Sequence, residues 1–241
     1  MERCRNMSPL TSIICLANSW KHGDRCIAGI NLQTGCWVRP ISSLEDGRIP
    51  LSMRLINGKE PKLLDIIAIP LAKEGNDFGF ESENLSVLPG EWRKQGEVVP
   101  KDILRYCQRD HYVLHNHKKY VTVTEITRKP FLQRNTLQLV YVTEFSVEKK
   151  LRDTGSNQYQ ATIVTANGQT LRRIGITDPV FVQKLDRGEQ PNVPCLVTVS
   201  LSMPYRPDNW EGDDPCWKLL AGVIELEPQN NRNDDIIDIP F

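Results

Sequence analysis

The chain alternates between short runs of aliphatic and β-branched residues and polar turns that contain glycine. Ser12 to Asn18 is an apolar run ending in Asn-Ser, Arg25 to Asn31 is a second, and Lys21 to Asp24 between them supplies a glycine. Runs of this length, bounded by turn residues, read as strands. Cys36 to Ile41 follows a Thr-Gly turn and completes a three-stranded meander, and Leu63 to Leu71 is a longer β-rich run preceded by Pro61. Together they predict a small β-barrel over residues 1–98. The texture changes near Pro100. Lys101 to His111 places Ile103, Leu104 and Cys107 at helical spacing, and with the polar, histidine-rich stretch after it predicts a helical connector over residues 99–134. Strands return at Leu137 to Val147, Gln160 to Thr165, Leu171 to Ile176, Cys195 to Leu201 and Leu219 to Leu226. Asn167-Gly168, inside the Ala166 to Gln169 turn, is the strongest hairpin signal in the chain. A second barrel over residues 135–227 follows. Pro228 to Asn233 holds no apolar residue and opens a flexible acidic tail over residues 228–241.

Composition adds boundaries to this picture. With 39% apolar and 25% charged residues in 241 positions, the chain has an ordinary globular make-up, which excludes a fibre, a wholly disordered chain and a disulfide mini-protein. No apolar run approaches the roughly 18 residues of a membrane span. The first ten residues lack the continuous apolar stretch of a secretory signal, so the expected location is the cytoplasm, with no membrane partner. The 30 basic and 30 acidic side chains cancel, but residues 1–150 carry 22 basic and 17 acidic groups and residues 151–241 carry 8 and 13. A basic front and an acidic back fit a nucleic-acid binder with an acidic tail, and also many other proteins. The cysteines (Cys4, Cys15, Cys26, Cys36, Cys107, Cys195, Cys216) contain no C-x-x-C pair, and most sit beside Ile, Leu or Trp, as buried reduced thiols do.

Arg25 to Ile30 and Cys216 to Ile224 both place Ala-Gly inside an apolar run after a polar loop, a weak internal echo. Glycine within a strand marks a bulge or a barrel corner. The segments Cys15-Leu16-Ala17-Asn18-Ser19, Lys21-His22-Gly23-Asp24-Arg25-Cys26-Ile27-Ala28-Gly29 and Gly35-Cys36-Trp37-Val38-Arg39-Pro40-Ile41-Ser42 resemble the opening of bacterial dual OB-fold domain proteins. Leu64-Asp65-Ile66, Glu83-Asn84-Leu85, Thr177-Asp178-Pro179 and Val199 to Gly222 are similar to later landmarks of that family, and Asp24 departs from it where a second glycine is expected. The resemblance covers most of residues 12–226 and implies a mainly β fold of two tandem OB-like barrels.

The chain ends Asp234-Asp235-Ile236-Ile237-Asp238-Ile239-Pro240-Phe241, which is similar to the C-terminal tip of bacterial single-stranded-DNA-binding proteins, an acidic run followed by Ile-Pro-Phe. Ile236-Ile237 departs from it by interrupting the acidic run. An aromatic ring beside a free terminal carboxylate suits a hydrophobic pocket rimmed by Arg or Lys, and the preceding acids steer it there. The implied partners are proteins with pockets for such tails, acting in DNA replication, repair or phage defence.

Single-strand binding requires aromatic faces for bases and cations for phosphates. The sequence interleaves them at Trp20, Lys21, His22 and Arg25, at Arg39 beside Trp37, at Trp92 and Arg93, at Tyr205 and Arg206, and at Lys218 beside Trp217. Trp37 and Trp217 lie within strands and read as packing residues, whereas Trp20, Trp92, Tyr205 and Trp210 fall in loops and are the better stacking candidates. Cys107, His111 and His115 recur every four residues, but Val113, Leu114 and Asn116 do not sustain a helix and no fourth ligand is evident, so no metal is expected. No nucleophile motif, phosphate loop or pair of metal carboxylates is present, and no cofactor is implied. The reading is a non-catalytic binder of nucleic acid, single-stranded DNA first. The alternative is a nucleotide-sensing or enzymatic module, using the His22, Asp24, Arg25 loop, that the same tail localises to DNA-maintenance complexes.

Overall fold

The computed structural model describes residues 10–108, 110–151 and 157–226. The tail candidates Asp234, Asp235, Asp238, Ile239, Pro240 and Phe241 lie outside the described residues. The first sheet comprises β1 (Leu10–Lys21), β2 (Asp24–Asn31), β3 (Trp37–Ile41), β4 (Asp65–Pro70), β5 (Asn84–Ser86) and β6 (Arg93–Glu97), with a one-turn helix α1 (Leu51–Arg54) between β3 and β4. Its order is β5-β3-β2-β1-β4-β6. The parallel pairing of β3 with β5 and an antiparallel bridge between Leu71 and Val87 bring β5 round to the end of β4. This is OB connectivity, a five-stranded Greek-key barrel, with β6 added on the outer edge of β4.

Three short strands escape the sequence pattern. β5 and β6 are polar, and β7 (Tyr120–Thr122) lies inside the connector, where it pairs with the start of the last strand. The rest of the connector is a series of short turns rather than one helix: 3-10 segments at Pro100–Tyr106, Val113–His115 and Phe131–Gln133, and the helix α2 (Val123–Thr127), whose Thr122 and Glu125 form a reciprocal capping box. Leu114 and His115 both have positive φ, which breaks any helix that would align Cys107, His111 and His115.

The second barrel contains β8 (Leu137–Leu151), β9 (Asn157–Thr165), β10 (Thr170–Ile176), α3 (Pro179–Asp186), β11 (Cys195–Leu201) and β12 (Pro215–Glu225). The order β10-β9-β8-β11-β12 closes through a parallel β10–β12 pairing. Helix α3 has a sequence signal: Asp178 is its N-cap, accepting from the Val180 and Phe181 amides at 2.9 and 3.1 Å, and Pro179 fills the first helical position. The other Asp178 oxygen accepts from Val223 N at 3.0 Å, which fastens the helix to β12, and burial raises the Asp178 pKa.

The two barrels share a wall. Along β1, Ile13 and Cys15 face the first core, with Ile27, Val38, Ile67 and Ile69. Ile14 and Leu16 face outward, and with Ile30 they pack on Leu139, Leu196 and Ile224 of the second barrel, while Ala17 and Ala28 meet Leu137 and Ala221. A strand buried on both faces has no polar alternation, which is why Ser12 to Asn18 reads as a continuous apolar run. A register shift at Leu16 sets its carbonyl against the second barrel, where Thr198 Oγ1 donates to it at 2.6 Å. Gly222 makes that approach possible, since a Cβ there would lie 2.4 Å from Leu16 O. Gly29 plays the same part on the other side, where a Cβ would lie 2.0 Å from Ile14 O. The internal echo is therefore no repeat of equivalent strands. It joins the second strand of one barrel and the fifth of the other, and what the two glycines share is a close approach to β1.

Candidate nucleic-acid interface

OB barrels take ligands on the outer face of their second and third strands and in the loops that flank it. In the first barrel that face is covered. Trp37 and Arg39 project from the outside of β3 into the junction with the second barrel. Arg39 is buried, paired with Glu81 at 2.5 Å and donating to Thr136 Oγ1 at 2.9 Å, while Glu83 accepts from Thr136 N at 2.6 Å and Oγ1 at 3.0 Å. Burial raises the Glu83 pKa; at Arg39 burial opposes the charge, but Glu81 and Glu83 outweigh it and raise the pKa. Arg39 is thus a junction residue and not a phosphate ligand, because carboxylates and a neighbouring barrel occupy its surroundings.

The loop side of the first barrel holds four candidates. His22 and Gly23 have φ of 47° and 83°, a two-residue hairpin turn of the primed type, and Asp24 is already a strand residue opposite Lys21, so no second glycine is needed there. Trp20 is 48% exposed, with the Arg25 guanidinium stacked 3.8 Å from its ring centroid. Arg25 also pairs with Glu60 at 3.0 Å, Arg54 binds both Asp24 and Glu60 at 3.1 Å, and Arg48 pairs with Asp24 at 3.4 Å and Asp46 at 3.1 Å. Three guanidinium groups facing three carboxylates leave little net charge for a phosphate. Trp20 N donates to Thr177 O at 2.8 Å, which sets this aromatic beside the exit of β10.

Two further candidates are corrected by burial. Trp92 is 4% exposed and belongs to the first core, so its ring is unavailable for stacking; its neighbour Arg93 is exposed on the edge strand β6. Lys218 is 1% exposed, points into the end of the second barrel and donates to Asn116 O at 2.6 Å. Burial lowers its pKa to about 7.

One open surface is an end of the second barrel. β8 starts, β11 ends and β12 starts there, as the pairings Ser200 with Leu137 and Leu201 with Lys218 require. The connector caps this end, inserting Val113, Leu114, Val121 and Ile126 into the core beside Phe80 from the first barrel. Its amides are held by side chains of the barrel: Val113 N donates to Gln169 Oε1 and Leu114 N to Gln138 Oε1, each at 2.6 Å. On the outside, Tyr120, Trp210 and Trp217 form a cluster with centroids 5.0 to 5.5 Å apart, with Lys118 over Tyr120 and Lys119 over Trp217 at 5.5 and 5.2 Å. His111, Tyr112 and His117 make a second row of rings, at 4.3 and 6.1 Å. Tyr205 is 66% exposed on the loop that carries Trp210, and Arg206 beside it pairs with Asp214.

Charge follows the same division. Residues 99–134 hold eight basic side chains and three acidic ones, a surplus of five that equals the whole basic excess of residues 1–150. The loop of residues 202–214 instead adds Asp208, Glu211 and Asp213, so the charge on this side is negative, opposite to that of Lys118 and Lys119. Sequence reasoning missed Lys118, Lys119 and Tyr120, although the run His117-Lys118-Lys119-Tyr120 carried the signal of cations beside an aromatic.

A family model described as a dual OB-containing domain matches residues 11–223. No curated protein matches the chain.

Proposed function

Because the chain belongs to the dual OB-containing domain family, whose barrel type commonly binds nucleic acids, we propose that it is a non-catalytic binder of single-stranded DNA. The observation that carries the proposal is the asymmetry of the pair: the outer face of the first barrel is covered, whereas the outside of the cap on the second is exposed and sets lysines over aromatic rings. Bases would stack on Tyr205 and the Tyr120, Trp210, Trp217 cluster, and Lys118 and Lys119 would take phosphates. Trp20 and Arg25 would meet the strand at the far end of β10. Residues 234–241 would recruit DNA replication, repair or defence proteins through Ile239, Pro240 and Phe241.

The test is a titration against single-stranded DNA, RNA and duplex at several salt concentrations. Each lysine removed in Lys118→Ala and Lys119→Ala should lower the slope of log K against log salt by about 0.7 on a single strand. Undetectable binding to all three ligands at low salt would refute the proposal. The alternative small-ligand reading predicts a rise in melting temperature with some nucleotide, lost in His22→Ala and Arg25→Ala.

A further inference from the structure

The turn that follows α2 is built to present an apolar side chain. Leu132 is 85% exposed, the most exposed large hydrophobic among the described residues, and Phe131 beside it is 45% exposed. The turn is braced from inside. Arg134 donates to three carbonyls, Lys129 O and Thr127 O at 3.1 Å and Gly79 O at 3.4 Å, and the backbone adds Gln133 N to Pro130 O at 2.8 Å and Arg134 N to Phe131 O at 3.1 Å. The Arg134 guanidinium also lies 5.7 Å from the Phe131 ring centroid. An apolar tip on a fixed turn keeps its exposure, because it cannot fold back without breaking these bonds. Arg128, exposed, and Lys129, half-buried, flank it on the α2 side, while the other side of Phe131 faces a shallow pocket that also holds Lys73, Glu74, Asp77 and Glu81, so the cations lie on the α2 side of the apolar tip. β8 begins four residues after Gln133, which puts the turn at the same end of the second barrel as Lys118, Lys119 and the aromatic cluster.

An apolar wedge beside cations is the chemistry that unstacks base pairs, the side chain entering between bases while the cations hold the backbone. We propose that Phe131 and Leu132 form a wedge that opens the last base pair of a duplex where it meets a single strand, so that the ligand is a single-strand/duplex junction. The inference rests on the proposed single-strand binding and adds the geometry of the substrate. An anionic membrane would also accept such a tip. The junction is favoured because the adjoining surface offers planar rings for bases in addition to cations.

The experiment compares a forked DNA, the single strand alone and the blunt duplex, with 2-aminopurine at the junction pair of the fork. The full chain should bind the fork on the order of tenfold more tightly than the single strand, the worth of one added stack, and the 2-aminopurine fluorescence should rise as that base unstacks. Leu132→Ser and Phe131→Ser should remove both effects while leaving single-strand affinity unchanged; Leu132 is a surface position, so the variant folds. Equal affinity for fork and single strand with silent fluorescence would overturn the wedge and leave the proposed function standing. Failure to bind any DNA would overturn both. Binding to phosphatidylserine vesicles that Leu132→Ser abolishes, without any fork preference, would assign the tip to membranes instead.

Discussion

Substituting Gly222 by alanine tests whether the two barrels are one folding unit. A Cβ at this position would sit 2.4 Å from Leu16 O and 3.3 Å from Leu16 C, far inside any ordinary carbon–oxygen contact. Neither backbone can give way alone, because Gly222 pairs with Thr198 and the residues flanking Leu16 pair with β2. The barrels must part by most of an ångström. That lengthens the Thr198 Oγ1 to Leu16 O bond beyond use, leaving a buried carbonyl without a donor at about 1–3 kcal/mol. It also loosens Ile14 and Leu16 against Leu139, Leu196 and Ile224, an overpacking defect of about 1–3 kcal/mol. The expected loss is about 2–6 kcal/mol, read as a lower midpoint in urea denaturation, and the single transition should separate into two as the second barrel loses its wall. Gly168→Ala is the control: its φ of 81° strains alanine, but nothing lies within 4 Å, so the loss should be about 1–2 kcal/mol. A Gly222→Ala protein within about 0.5 kcal/mol of the parent would refute the argument.

Four other outcomes follow from the same structure. Arg39→Met leaves Glu81 and Glu83 buried without their cation and should cost about 3–5 kcal/mol in thermal denaturation, with DNA affinity of the folded fraction unchanged. Lys218 holds its proton only to about pH 7 when folded, whereas an unfolded lysine holds it to about 10.4; in between the unfolded chain binds more protons and stability rises with pH. Melting temperatures should rise between pH 7 and about 8 in the parent and lose that rise in Lys218→Met; above about pH 8 the thiols of Cys15, Cys195 and Cys216, which burial pushes up from an ordinary value of about 8.5, ionise in the unfolded chain and oppose the trend. Tyr205→Ala should weaken single-strand binding by about 1–3 kcal/mol in a fluorescence titration, while Trp92→Ala should instead lower stability by about 3–5 kcal/mol. Deleting Phe241 should abolish capture of proteins that recognise single-strand-binder tails in a pull-down, with the melting temperature unchanged.

Nine strands were legible because each carries its own apolar run, and the Asn167-Gly168 turn and the His22-Gly23 loop announced their hairpins. β6 was not, because Arg93-Lys94-Gln95-Gly96-Glu97 is an edge strand with nothing apolar to bury. α3 was missed because its run is short, although Asp178-Pro179 stated where it starts. The site was less legible than the fold for a different reason. Arg39 and Lys218 stand beside tryptophans in strands, and one-dimensional spacing cannot say which outer face a second barrel will cover or that Glu81, forty-two residues on, will reach the guanidinium. Lys118 and Lys119 read as part of a solvated connector, because only the pairing of β7 with β12 brings Lys119 over Trp217 and sets Tyr120 beside it.

The shared wall also has a consequence in time. On the ribosome, the strands of the first barrel are complete once Glu97 has emerged, but its outward residues Ile14, Leu16, Ala28 and Ile30, met first by Ile103 of the connector and then by Leu137 and Leu139 of β8, are not fully covered until β11 and β12, ending at Glu225, arrive. At the usual pace of synthesis of about 5–20 residues per second, the nascent chain carries that partly covered apolar flank for roughly 6–25 seconds. Cells starved for a tRNA read within residues 98–225 would prolong this interval. The first barrel would then be a client for holding chaperones before its partner exists, and expression of residues 1–98 alone should yield aggregates.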